Sequence, residues 1–310
     1  MRPSDTSPAA SAGGTDGKAA SSRPPPSLMK AVAWMGVALL SFTLTAIAGR
    51  EAGRTIPAVN MVFWRNGLSL VLLLIAFKLS GIRLASLVSV QPGMQIARAL
   101  AHFTGQLLWM KALLLIPLVE LFSIEFTAPL WVAILAPFML GERLTQTRIA
   151  AAVMGFIGVL VIVRPGFVTV NTGTLLAVMC AMFFAFNLIG TRYLTKRDGP
   201  FTILMYMAVN HTVLAFVLGW PSLARPDAYA AGWLCVLGCT SLVAHFALAR
   251  AIAFADAMVV APMDFLRLPL IAVIGALAYH EPTTWVLLLG AAIVLAGNIV
   301  NLWGERRPAA

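Results

Sequence analysis

From Leu28 onward the chain is a succession of apolar stretches, each of about 17 to 24 residues, and this repetition limits the fold more than any other feature. At ~1.5 Å of rise per residue such a stretch crosses a ~30 Å hydrocarbon layer as a helix. Hydrocarbon offers no partner for backbone N–H and C=O groups, so only helices and closed barrels can span it. Runs of this length without strict alternation predict helices. The reading is therefore an all-α integral membrane protein of ten transmembrane helices, at about 31–49, 59–79, 94–115, 118–140, 148–164, 173–193, 202–220, 230–253, 257–279 and 283–303. Gly, Pro and charge punctuate them, as in "KLSGIR", "GERLTQTR" and "RPGFVTVNTG". Residues 1–28, rich in Ser, Pro, Gly and Ala, predict a disordered polar tail. Ala46 and Ala48 imitate a signal-peptide cleavage site, but the long polar lead and nine following spans predict an uncleaved first helix.

Composition agrees, with 60% hydrophobic and 11% charged residues among 310 and a mean hydropathy of +0.89. A soluble surface needs far more charge. The net charge of +10 has a membrane explanation. With a cytoplasmic amino terminus, thirteen Lys and Arg fall inside, and only Arg50, Arg54, Arg164 and Arg225 fall outside. Both termini are thus expected in the cytoplasm. Basic residues do not alternate with surface aromatics, so no nucleic-acid partner is expected. Cys235 and Cys239 share a helix face without His or carboxylate at ligand spacing, so no metal and no cofactor are expected.

An internal repeat organises the polar residues. Shifted by 139 positions, residues 111–161 lie over 250–300 without a gap, with identities at Ala112/Ala251, Phe126/Phe265, Ala133/Ala272, Glu142/Glu281, Thr145/Thr284, Ala152/Ala291, Gly158/Gly297 and Val161/Val300. Lys111 falls on Arg250 and Glu125 on Asp264, so "IEFTAPL" and "MDFLRLPL" read as two copies of one element, an acid–Phe pair followed by proline. Five spans separate the copies. Five is odd, so the halves run in opposite directions, which is the mark of secondary carriers with a site between the repeats. The organisation expected is a first repeat over 29–166 and a second over 171–304.

A carboxylate deep in a span is costly unless it is paired, protonated or wet, so Glu125 and Asp264 are candidate site residues, with Arg267 one turn beyond Asp264. Either this pair only fixes helix packing or it faces a cavity. Pro129, Pro137, Pro262 and Pro269 free backbone carbonyls in the same two spans, which favours the cavity. Arg98, His102 and Gln106 form one polar stripe, in which Arg98 can snorkel and His102 is placed to line a pore. Arg65 either snorkels outward or joins the site, and Asn187 shares a face with Thr191. Tyr206 and Asn210 are a candidate interhelical pair, while His211 and His245 read as packing residues. Ala151/Gly155 and Ala292/Ala296 predict close helix crossings. Trp220, Trp285 and Trp303 fit interfacial anchoring.

The order "FTAPL", "LGER", "GFIGV", "RPG" within 117–166, followed by "APMDFLRLPLIAVIGALAYHEP" within 261–282, resembles the two repeats of the EamA family of the drug/metabolite transporter superfamily. The resemblance covers essentially the whole chain after residue 28. It implies ten helices in two inverted five-helix repeats around a central cavity, in the bacterial inner membrane. It also implies transport of a small polar or zwitterionic metabolite by alternating access. Export of an amino-acid derivative or opine-type metallophore is expected; the alternative is uptake of a vitamin or nucleoside-like metabolite such as riboflavin or S-adenosylmethionine. His280 departs from the glycine usual in the family, which leaves the turn there open. Glu125 and Asp264 are expected to bind a solute ammonium or a proton, and Arg267 a solute carboxylate. No phosphate-cradling Gly-x4-Gly-Lys-Ser/Thr loop, Gly-x-Ser-x-Gly elbow or His-Glu-x-x-His pair occurs, so neither an ATPase nor an enzyme is expected, and no catalytic residue is named. Channel conduction is a distant rival. Monomer and homodimer both stay open.

Overall fold

The computed structural model describes residues 27–80, 87–141, 145–164, 171–195, 197–223, 225–255, 260 and 263–305. Residues 1–26 of the expected polar tail, Glu142 and Pro262 lie outside the described residues, and Leu28, the last residue of that tail, begins the first helix. The described chain is helical, in the order α1 (Leu28–Ala52), α2 (Ala58–Ser80), α3 (Pro92–Leu113), α4 (Leu118–Glu125), α5 (Ala128–Leu140), α6 (Gln146–Val163), α7 (Thr172–Leu194), α8 (Pro200–Gly219), α9 (Ala228–Phe254), α10 (Arg267–Tyr279) and α11 (Trp285–Glu305). Eight stretches among the described residues are long and apolar enough to cross a membrane, α4 and α5 counting together as Leu118–Met139. The other two expected spans are α3, 22 residues long but polar along one stripe, and the shorter apolar α10. Large apolar side chains such as Leu40, Phe138 and Leu277 stand 64%, 82% and 75% exposed. Lipid is the medium that such surfaces require. Trp220, Trp285 and Trp303, likewise exposed, sit at or next to helix ends where an amphipathic indole meets the interface.

Helix packing respects the repeat. α1 packs on α9 as α7 packs on α3, α2 packs on α9 as α8 packs on α3, and α2/α8 and α6/α11 each join equivalent helices. At the α6–α11 crossing a Cβ on Gly158 would meet Gly290 O at 2.9 Å and Val294 N at 3.0 Å, and one on Gly297 would meet Ala151 O at 3.0 Å and Gly155 N at 3.4 Å. Each of these contacts becomes the other on a shift of 139 positions. The small-residue crossing on α11 is thus made by Gly290 and Gly297, whereas Ala292 is exposed and Ala296 half-buried. The expectation chose the wrong stripe because an apolar helix facing lipid also accepts alanine.

The two proline-bearing spans break where the acid–Phe pairs fall. α4 ends at Glu125, Phe126 and Thr127 form a turn, and α5 restarts at Ala128; after Met263 and Asp264, a turn at Phe265 and Leu266 precedes α10. Pro129 and Pro269 have no N–H for the carbonyls of Glu125 and Phe265 four residues back. Phe265 O is served instead by Leu268 N at 3.1 Å, and in the first break the carbonyls on either side of Glu125 are satisfied, Ile124 O by Thr127 N and Oγ1 at 2.9 and 2.6 Å and Phe126 O by Asn298 Nδ2 at 2.7 Å. The turn at "YHEP" also has an answer. Gly141 caps α5 at φ 69°, and His280, its counterpart, caps α10 at φ 52°. A left-handed cap costs glycine little but strains a side chain with a Cβ. His280→Gly is therefore expected to raise stability by up to about 1 kcal/mol, read as a higher thermal midpoint of the purified protein.

Candidate functional site

A cavity of about 300 Å³ opens between the halves. Its walls include Arg65 (α2), His102 (α3), Glu125 (α4), Asn187 (α7), Asp264 in the turn before α10, and Arg267 (α10). The six candidates, spread over more than two hundred positions, thus share one space. Aromatic rings fill much of the remaining wall, with Phe42, Trp109, Phe122, Phe126 and Phe184 among them.

Two polar groupings divide this wall. In the first, Arg267 Nη2 lies 3.0 Å from Asp264 Oδ2 and 3.6 Å from Glu125 Oε1. The second oxygen of Glu125 accepts from Trp109 Nε1 at 2.7 Å. The guanidinium carbon stands 4.7, 5.1 and 5.0 Å from the ring centres of Phe42, Phe122 and Phe126. Phe126 and Phe265 meet edge to face at 5.4 Å, which brings the two acid–Phe copies together at the seam between halves. In the second grouping the side-chain amide of Gln106 lies against the Arg65 guanidinium, 3.1 Å from its Nε and 2.8 Å from its Nη1. His102 lies between Phe184, at 5.6 Å and 28°, and His211, at 5.0 Å and 8°, so its faces are covered and its edge is left for hydrogen bonding.

Arg98 overturns a sequence expectation. It does not snorkel: it is 4% exposed, and donates to Asn187 Oδ1 at 3.1 Å and Ile203 O at 3.0 Å, tying α3 to α7 and α8. A buried acceptor two helices away is worth more to a guanidinium than a stretched path to water. Asn210 also departs from the interhelical reading, since its Nδ2 donates to Tyr206 O within α8 at 2.7 Å. His245 lines the cavity with Nδ1 2.7 Å from Ser241 O, and His211 is buried with Nε2 3.1 Å from Ala99 O. Trp109 was the omission on the sequence side; it continues the stripe of Arg98, His102 and Gln106 one turn on, a signal that its aromatic character concealed.

The ends of the bundle differ. Where α1, α3 and α10 finish and α4 and α9 begin, Arg50 donates to Leu113 O at 2.6 Å and Ile116 O at 2.5 Å and pairs with Glu281. Glu281 in turn accepts from Leu118 N at 2.7 Å. Beside it, Glu51 accepts from Tyr229 at 2.5 Å and from Tyr279 at 3.0 Å. Five helix ends are stitched together here, while the cavity runs from mid-bundle toward the other end, past Asn187, Leu188 and Leu248. At that other end Asp198, in the turn between α7 and α8, accepts from Ser89, from Gln95 Nε2 at 2.7 Å and from Val90 N at 3.2 Å. Burial acts to raise its pKa, but these three bonds outweigh it and hold the carboxyl below its usual range.

Broken helices lining a polar cavity in an otherwise lipid-facing bundle define a multi-pass membrane transporter. The chain belongs to the EamA-like transporter family, which matches it over residues 29–164 and 171–303, and this is a family of transporters rather than of enzymes. Similar curated proteins include a riboflavin transporter of Brucella anthropi, 29% identical over 82% of this chain and 90% of its own length. An S-adenosylmethionine uptake transporter of Rickettsia felis is 25% identical over 89% and 93%. The pseudopaline exporter CntI of Pseudomonas aeruginosa is 26% identical over 84% and 92%. A solved crystal structure, 19% identical, covers 89% of this chain and 99% of its own with a TM-score of 0.63, a likeness of fold alone.

Proposed function

We propose that this protein is a secondary carrier of the bacterial inner membrane. Its cargo joins a flat heteroaromatic ring to a polar or zwitterionic arm, and it moves inward by alternating access between two inverted repeats, 29–166 and 171–304. The observation that carries this reading is the cavity itself, whose wall brings Glu125, Asp264 and Arg267 together with Arg65, His102 and Asn187 among aromatic rings. Aromatic walls favour a planar ring, and paired opposite charges favour a solute that carries charge of its own. The names of the riboflavin and S-adenosylmethionine relatives support the same chemistry. The same proposal includes cytoplasmic termini, as the distribution of Lys and Arg favours, and proton coupling through Glu125 and Asp264.

The test is transport by the purified chain in proteoliposomes, with labelled S-adenosylmethionine and riboflavin offered separately. Saturable entry of both is expected, faster for S-adenosylmethionine, faster when the same compound is trapped inside and faster with an inward proton gradient. Flux that rises linearly with concentration, without counterflow, would mark a channel. Export of an amino-acid-derived solute is the second reading, favoured by the likeness to the pseudopaline exporter. A compound that accumulates in the cytosol of cells lacking the gene would decide for it.

A further inference from the structure

Arg267 occupies a site whose chemistry is that of a receptor for cations. Two carboxylates converge on one nitrogen of its guanidinium, at 3.0 and 3.6 Å, and three phenylalanine rings surround its carbon at 4.7 to 5.1 Å. Carboxylates with aromatic faces are how proteins hold diffuse, weakly hydrated cations. Among these groups two carboxyls face one guanidinium. The other cavity arginine, Arg65, is held by the neutral amide of Gln106. A solute carboxylate approaching Arg267 would come up against Asp264 and Glu125, and like charges at that range repel strongly. Arg267 is therefore poorly placed to receive an anion.

We propose that the Asp264–Glu125 pair and the ring of Phe42, Phe122 and Phe126 form the cation-recognition site of the carrier. Arg267 fills this site when no cargo is present, and a guanidinium, quaternary ammonium or sulfonium group of the cargo replaces it there. The inference rests on the cavity being the cargo site and adds to that reading the charge of the cargo. An internal cation explains how an empty carrier avoids leaving two uncompensated carboxylates in a mostly apolar wall. It also links loading to movement. Arg267 is the first residue of α10, directly after the break at Phe265 and Leu266, so its release alters the contacts that hold that helix start. A ligand shifts a conformational equilibrium only through contacts that differ between states, and exchange at Arg267 supplies such a difference.

The experiment uses the full chain in detergent and needs no cargo. Tetramethylammonium chloride is titrated against wild type and Arg267→Gln, with sodium chloride as the ionic-strength control. The signal is the fluorescence of Trp109, whose indole N–H lies 2.7 Å from Glu125, and Trp109→Phe identifies its origin. Arg267→Gln is expected to bind tetramethylammonium about tenfold more tightly than wild type, and adding Asp264→Asn should abolish the gain. Equal affinity in wild type and Arg267→Gln overturns the proposal, as does a gain that survives Asp264→Asn. If Arg267→Gln elutes as aggregate, Arg267→Lys takes its place, with an affinity between wild type and the expected value; no gain there is equally fatal. Wild type that transports neither S-adenosylmethionine nor riboflavin would sink the cargo reading alone, because this titration does not depend on movement of either.

Discussion

Glu281→Ala is expected to lower the stability of the purified protein by about 3 kcal/mol, measured as a fall in its thermal midpoint. The carboxylate does two things at once. It pairs with Arg50, and it accepts the N–H of Leu118 at 2.7 Å at the start of α4. The two side chains are 15% and 10% exposed, so truncation leaves a guanidinium with little water to turn to and a helix N-terminus without its cap. Gly275 is part of the same arrangement, since a Cβ there would come within 2.7 Å of the Glu281 carboxylate. Removing Arg50 as well should add far less than its own single cost, because the two residues act as one unit. Glu281→Gln, which keeps an acceptor for Leu118, should fall between. A midpoint unchanged by Glu281→Ala would mean that Leu113 O and Ile116 O hold Arg50 unaided and that the acid is incidental.

Asp264→Asn is expected to slow S-adenosylmethionine entry by roughly 30-fold or more, with a much smaller effect on riboflavin. The asparagine is nearly isosteric, so the break before α10 and the packing of Phe265 on Phe126 should persist. What changes is the charge set against a cationic cargo, which drops from two carboxylates to one. Glu125→Gln should cost less, because Glu125 stands 3.6 Å from the guanidinium against 3.0 Å for Asp264, and one of its oxygens is engaged by Trp109. Equal slowing of both compounds would point to damage to the helix break instead of to charge recognition. Initial rates in proteoliposomes, normalised to reconstituted protein, separate these outcomes.

Much of this was legible along the chain. The helical class follows from the length of the apolar runs, and the repeat from ten or so positions that match at a fixed offset. The candidates Glu125, Asp264, Arg267, Arg65, His102 and Asn187 stood out because charge and amide groups are rare in such runs. Arg98 stood out by the same rule, yet its partners Asn187 and Ile203 O lie on helices almost ninety positions or more away, and no local pattern reports them. Trp109 shows the converse: in an apolar helix an indole looks like filling until a carboxylate is found beside it.

The number and nature of the spans, their opposed halves and the presence of buried ions needed no coordinates. A bilayer removes water as a hydrogen-bond partner, so length, period and charge are tightly constrained within each segment. Which side chains meet is a different matter. The capture of Arg267 by two acids and three rings, and of Arg50 by Glu281 and the α3–α4 turn, depends on helices brought together across the chain. Such contacts depend on how the surfaces of separate helices fit, as at the close approach of Gly158 to Gly290, and neither helix carries that property alone.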